Sequence, residues 1–167
     1  QFPLICMDEL SKQLTTETRT SLPAKPGRPE CFDYEYQRNG TANVFAFTEP
    51  LTGWRHIAVT DQRTKTDFAH EIRKLVDVHR PNAERIELVM DNLNTHSLGS
   101  LYEAFPPQEA RRIANRIEVV HTPKHGCWLN MAEIELNVLT RQCLARRIPD
   151  KSTLIDETTA WQDARNR

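Results

Sequence analysis

The 167-residue sequence has no apolar run near the roughly 18 residues that span a bilayer, and its opening segment has no signal-peptide pattern. A membrane-spanning role is therefore not expected. It has no pair of cysteines at CxxC spacing. Cys6, Cys31, Cys127 and Cys143 are scattered, which excludes a zinc knuckle or a disulfide framework and suits reduced thiols. There is no excess of positive charge: the formal net charge is −1, unlike the basic balance of a general nucleic-acid coat protein. Internal repeats and low-complexity segments are missing as well. What remains is an ordinary globular composition, 38% apolar and 27% charged, at a length that suits one compact domain. The chain opens on Gln1 rather than Met, and so reads as part of a longer protein.

Along the chain, "PLICMD" (3–8) predicts a buried strand with Asp8 at its carboxyl end. The polar, Thr- and Pro-rich "SKQLTTETRTSLPAKPGRPE" predicts a long excursion, a hairpin insertion or an arm, carrying Lys25 and Arg28. "ANVFAFTEP" and "WRHIAVTD" predict strands joined by a turn around "LTG". Phe68, Ile72, Leu75 and Val76 recur at helical spacing, with Thr66 as the expected cap and Pro81 beyond the end. "RIELVMD" (85–91) is a second strand ending in acid, and "IEVVHTP" another strand. Short helices are expected in "SLGSLYEAF" and "PPQEARRIANR", a long one from Trp128 to about Arg146, and a last one capped by Asp150 or Ser152. The order is that of a mixed α/β layer arrangement with helices over a sheet.

Two strands that end in Asp8 and Asp91 place both carboxylates at one sheet edge if they are parallel neighbours, the edge where open α/β sheets carry their sites. Close carboxylates repel and call for a cation. Oxygen ligands select Mg²⁺ or Mn²⁺, and a third carboxylate from a helix crossing that edge completes a site for two such ions acting on a phosphodiester. Either Asp alone reads better as a turn residue. In "HGCWLNMAEIEL" two acids compete for the third place. Glu133 shares a helical face with Asn130, Asn137 and Arg141, whereas Glu135 has Met131, Val138 and Leu139 as packing neighbours. Spacing favours Glu133, but a solvated polar face reads equally well.

"VMDNLNTH" followed by "TPKHGCWLNMAEIE" resembles the paired signature of DDE transposases, and more narrowly that of bacterial insertion-sequence transposases related to the mariner superfamily. Asp91, Asn92 and His96 match the motif of the second Asp. Leu129, Asn130 and Glu133 match the helix-opening motif of the third acid, and Asp8 in "ICMDEL" fits the first. The resemblance covers nearly the whole chain. It implies a single RNase H-like catalytic domain over 1–167, a mixed five-stranded sheet with helices on both faces. It also implies Mg²⁺- or Mn²⁺-dependent cleavage at element ends, strand transfer into target DNA (usually at TA), and work as a homodimer or higher multimer in the bacterial cytoplasm, at the nucleoid. Asp8, Asp91 and Glu133 would be both catalytic residues and ligands of two ions. Asn92, His96, Lys124, His125 and Asn130 would support them or contact DNA. A surface role for His96 is an equal reading.

Three departures stand out. Met131 and Ala132 replace a Pro-containing pair, the interval from Asp91 to Glu133 is longer than in compact members, and the usual N-terminal helix-turn-helix region is not found. Recognition of element ends is thus expected to lie elsewhere. Trp128 reads as a core anchor. Arg111, Arg112, Arg116, Arg141, Arg146 and Arg147 read mainly as solvated helix faces, with a DNA-facing stripe as the sharper alternative. Competing functions are a hydrolytic nuclease of the same fold without strand transfer, a non-catalytic domesticated remnant that binds DNA or assembles, and, least favoured, a zinc hydrolase using His96, His121 and His125.

Overall fold

The computed structural model describes residues 2–91, 96–123, 126 and 129–167. Five strands form one sheet in the order β3-β2-β1-β4-β5. They are β1 (Leu4–Glu17), β2 (Tyr36–Glu49), β3 (Trp54–Thr60), β4 (Ile86–Met90) and β5 (Ile117–His121). The first three make an antiparallel meander, and β4 and β5 add parallel to it. The helices are α1 (Lys65–Lys74), α2 (Gly99–Ala104), α3 (Pro107–Ala114), α4 (Met131–Leu139) and α5 (Lys151–Arg165). The sheet is mixed and covered on both faces, as expected.

Strand alternation sorts the core into two layers. Ile5, Met7, Phe45, Phe47, Leu88 and Met90 face α1, α2 and α3, meeting Phe68, Ile72, Leu101 and Ile113. Leu14, Val44, Ala46 and Ile57 face the other way, against Leu136 and Leu139 of α4 and Leu154 and Trp161 of α5. Fully burying a side chain of this kind is worth about 1.5–3 kcal/mol. Two such layers make the sheet a firm platform for whatever projects from its edge.

Several sequence expectations shift. The first strand does not stop at Asp8. It runs on to Glu17, paired with β2 as far as Glu17↔Tyr36. The predicted excursion is therefore shorter, and it is a hairpin arm closed by Leu22↔Cys31 and Lys25↔Arg28 bridges, with Gly27 at φ 76 in its turn, a left-handed conformation that glycine adopts freely. Arg147 fastens the arm's base. It ion-pairs with Glu17 and donates to the carbonyls of Asp33 (2.7 Å) and Glu35 (3.1 Å). The cap of α1 is Thr64, not Thr66. Thr64 and Asp67 form a reciprocal capping box. Both α1 and α4 close on a single π-helical turn, Leu75–His79 and Thr140–Leu144. Asp150 caps α5 by accepting from Thr153 N at 2.8 Å. Met131, expected to pack, is 44% exposed.

The arginines do not form a stripe. Arg112 pairs with Asp77 and Glu109, Arg146 with Glu157, and Arg116 donates to the carbonyls of Val76, Arg80, Pro81 and Ala83. Arg111 and Arg141 are exposed. Among the described residues no helix is long and apolar enough to cross a membrane.

Candidate active site

The parallel pairing of β1 with β4 sets Ile5 against Leu88 and Cys6 against Val89. Carried two residues further, that register brings Asp8 level with Asp91, which directly follows β4. Asp8 pairs with Ala46 across β2, and Ala46 belongs to the layer under α4. Asp8 therefore faces α4, on the side of the sheet away from Met7. Glu133 stands in the first turn of that helix.

Asn130 connects helix and strand. It is 1% exposed, accepts from Ala132 N as the N-cap of α4, and donates through Nδ2 to the carbonyl of Met7 at 2.8 Å. One short amide thus closes the helix end and fixes it one residue from Asp8. It does not point outward with Glu133 as a polar stripe would require.

Electrostatics tie the three acids together. Burial pushes the Asp8 carboxyl up from 3.8 to about 6. A hydrogen bond from Glu9 N, at 2.8 Å, opposes the rise, and the charges of Glu9, Asp91 and Glu133 add to it. Among the described residues no three His, Cys, Asp or Glu side chains already stand as a closed ligand cage. The acids are near enough to raise one another's energy without enclosing a point. This donor set of carboxylate oxygens around a strained anion suits a hard divalent cation.

Glu135 is set apart. Arg55 Nε donates to its Oε2 at 3.0 Å, and Arg165 lies 3.6 Å from Oε1. Arg55 is itself 8% exposed, donates to the Arg165 carbonyl at 2.6 Å, and bonds through its main chain with Asn166. Glu135 thus joins α4 to β3 and the end of α5.

His96 is not at the surface. It is 2% exposed, packs against Phe68 (ring centroids 5.2 Å apart), and lies between two acids. Its Nδ1 is 2.8 Å from Asp91 Oδ1 and its Nε2 is 2.7 Å from Glu9 Oε2, the latter a close ion pair without ideal hydrogen-bond alignment. Burial alone would lower its pKa, but Glu9 and Asp91 outweigh burial and raise it. Both ring nitrogens thereby face a carboxylate, which disfavours a zinc-ligating role for the ring. His121 Nδ1 lies 3.2 Å from the Asp91 carbonyl, to which it can only donate. Asn92, Lys124 and His125, and also Cys127 and Trp128, lie outside the described residues.

Glu9 was missed in the sequence. It follows Asp8 and so points to the opposite face, where its β2 partner is the core residue Phe45. Ending the strand at Asp8 hid this.

A sheet of this order, with one acid inside β1, one directly after the parallel strand β4 and one on a crossing helix, defines a class. The sequence profile of the DDE superfamily endonucleases matches residues 3–155. The chain belongs to that family of enzymes. In three dimensions it is similar to the chain in the crystal structure of the Mos1 strand transfer complex, with a TM-score of 0.60, 12% identity and 97% of this chain covered. At that identity the likeness is one of fold. The chain spans about half, 47%, of that neighbour's length. No individually curated protein matches the sequence.

Proposed function

We propose that this domain is the catalytic part of a transposase. Its substrate is DNA: it cleaves a phosphodiester at the end of a mobile element, and the freed 3′-hydroxyl then attacks target DNA. Asp8, Asp91 and Glu133 are the catalytic acids and would hold two Mg²⁺ or Mn²⁺ ions. When bound, such ions supply an activated nucleophile and stabilise the leaving oxygen. The observation that carries this reading is the Asp8 carboxyl, inside β1 and level with the end of β4, pushed up to about 6 by burial, with the charges of Glu9, Asp91 and Glu133 adding to the rise. Carboxylates gathered at that cost to the fold suit a cation-binding site better than a turn.

Asn130 holds the first turn of α4 beside Asp8, and His96 holds Asp91 from the opposite side. Neither needs to touch DNA. Lys124, His125 and Asn92 are proposed, from the motifs they belong to, to support the acids or contact DNA. The Mos1 structure is a complex of strand transfer, and by analogy DNA ends and target are the proposed partners here. The domain is proposed to act as a homodimer or larger assembly, at the nucleoid of a bacterial cell. The arm supports assembly, for it exposes Leu22, Phe32 and Tyr34 at 69%, 61% and 85%.

A hydrolytic nuclease of the same fold is separated from this reading by one assay. Pre-cleaved ends carrying a free 3′-hydroxyl are incubated with plasmid target, Mn²⁺ and the purified protein. Joined products support the transposase. Cleavage of intact ends without any joining supports the nuclease.

A further inference from the structure

The Glu9 side chain is 4% exposed, and a buried carboxylate is costly unless a partner offsets it. Its close partner is His96 Nε2 at 2.7 Å, while Arg63, half exposed, stands 3.7 Å from the other oxygen. The same His96 ring reaches Asp91 Oδ1 with Nδ1 at 2.8 Å. The ring is wedged against Phe68, so it has little room to turn. Each ring nitrogen faces a carboxylate oxygen, the Glu9 contact being close without ideal hydrogen-bond alignment. Glu9, His96 and Asp91 thus form a chain running from the α1 side of the sheet to the end of β4. Strand alternation makes this possible: Asp8 looks toward α4 while its neighbour Glu9 looks through the sheet to the far side.

We propose that Glu9 is a positioning residue for the reaction: by holding His96 Nε2 it fixes the ring that orients the Asp91 carboxylate. The inference rests on the reading of Asp91 as a catalytic acid. Glu9 touches neither DNA nor metal in this scheme. It acts through His96, as the partner behind a ligand orients that ligand and tunes its affinity.

The test compares wild type, E9Q and E9A at one pH. First, proton NMR of the metal-free protein reads the His96 Nε2–H resonance. A downfield, slowly exchanging signal is expected in wild type, shifted in E9Q and lost in E9A. Second, cleavage of an element-end duplex is titrated with Mn²⁺. The Mn²⁺ needed for half-maximal cleavage should rise roughly 10- to 100-fold in E9A. It should rise less in E9Q, which keeps an oxygen for the ring, and the KM for DNA should stay within about two-fold of wild type. Thermal melts identify the folded variants; if E9A does not fold, E9Q carries the comparison.

A wild-type Mn²⁺ requirement in the folded variants, or a change in DNA KM alone, overturns the proposal. D8N serves as the control on the underlying reading. If D8N cleaves normally, the catalytic assignment fails, while the His96 resonance still reports the Glu9 contact independently.

Discussion

Glu133 and Glu135 stand one residue apart on α4 with opposite surroundings. Glu133 is exposed near Asp8, and Glu135 is paired with the buried Arg55. Glu133→Ala should therefore abolish metal-dependent cleavage and leave the melting temperature nearly unchanged. Glu135→Ala should do the reverse, costing roughly 1–3 kcal/mol because Arg55 keeps its charge and loses a partner, while cleavage by the folded protein persists. Urea denaturation and an oligonucleotide cleavage assay check the pair. Asp8 adds a signed prediction. Its folded pKa, about 6, lies above the ordinary 3.8, so its protonated form stabilises the fold below pH 3.8 and that contribution is lost as pH rises through 6. At pH 7 the charge works against folding. Asp8→Asn should thus stabilise the metal-free protein by up to about 3 kcal/mol, less with solvent screening, while abolishing cleavage. Helical spacing separated Glu133 from Glu135 in the sequence, but the stripe it drew with Asn130 is not what the structure shows, since Asn130 is buried against β1. Glu9 was not legible, because its strand is held beyond Asp8 by pairing with β2 in a stretch too polar to show a clear apolar alternation.

At the scale of elements, two joints matter. The first is Asn130, which caps α4 and bonds to β1. Asn130→Ala should cost roughly 1–3 kcal/mol, a lost cap plus a stranded carbonyl, and should slow cleavage by loosening the turn that carries Glu133. Chemical denaturation and single-turnover cleavage measure both effects. The second joint links β3 to the π-turn that ends α1, through His56 and His79, whose rings are tilted against each other with centroids 4.1 Å apart. Burial first, then neighbouring positive groups, holds each ring neutral down to about 4. The unfolded chain takes up protons on these rings from about pH 6.5. This joint is therefore intact above pH 6.5 and loses stability as pH falls toward 4. His79→Phe keeps an aromatic ring there, and its unfolding free energy should depend less on pH across that window than wild type does. Strand and helix positions along the chain were largely legible, because apolar period marks them. The Thr64 cap was legible too, in a Thr followed three residues on by Asp67, though the nearer Thr66 drew attention. The His56–His79 contact was not, since it joins residues far apart in sequence.

Over the whole molecule, the formal charge of −1 conceals local order rather than a basic face. Of the arginines weighed as a DNA-facing stripe, Arg112, Arg116, Arg146 and Arg147 are spent on ion pairs and carbonyl contacts within the fold, while Arg111 and Arg141 are exposed. Arg147 in particular holds the arm at its base. Sequence composition cannot separate an arginine committed inside a fold from one offered to a phosphate, which is why the stripe was a fair reading and is not found. The short parallel register between β1 and β4 and one buried asparagine build the site, and neither has a compositional trace. The central claim is that Asp8, Asp91 and Glu133 serve one cation site. Anomalous diffraction from crystals grown with Mn²⁺ tests it most directly. The account predicts manganese peaks in contact with carboxylate oxygens of all three residues, lost in Asp8→Asn crystals. Manganese bound instead at Glu9 or Glu135, or absent from Glu133, would contradict it.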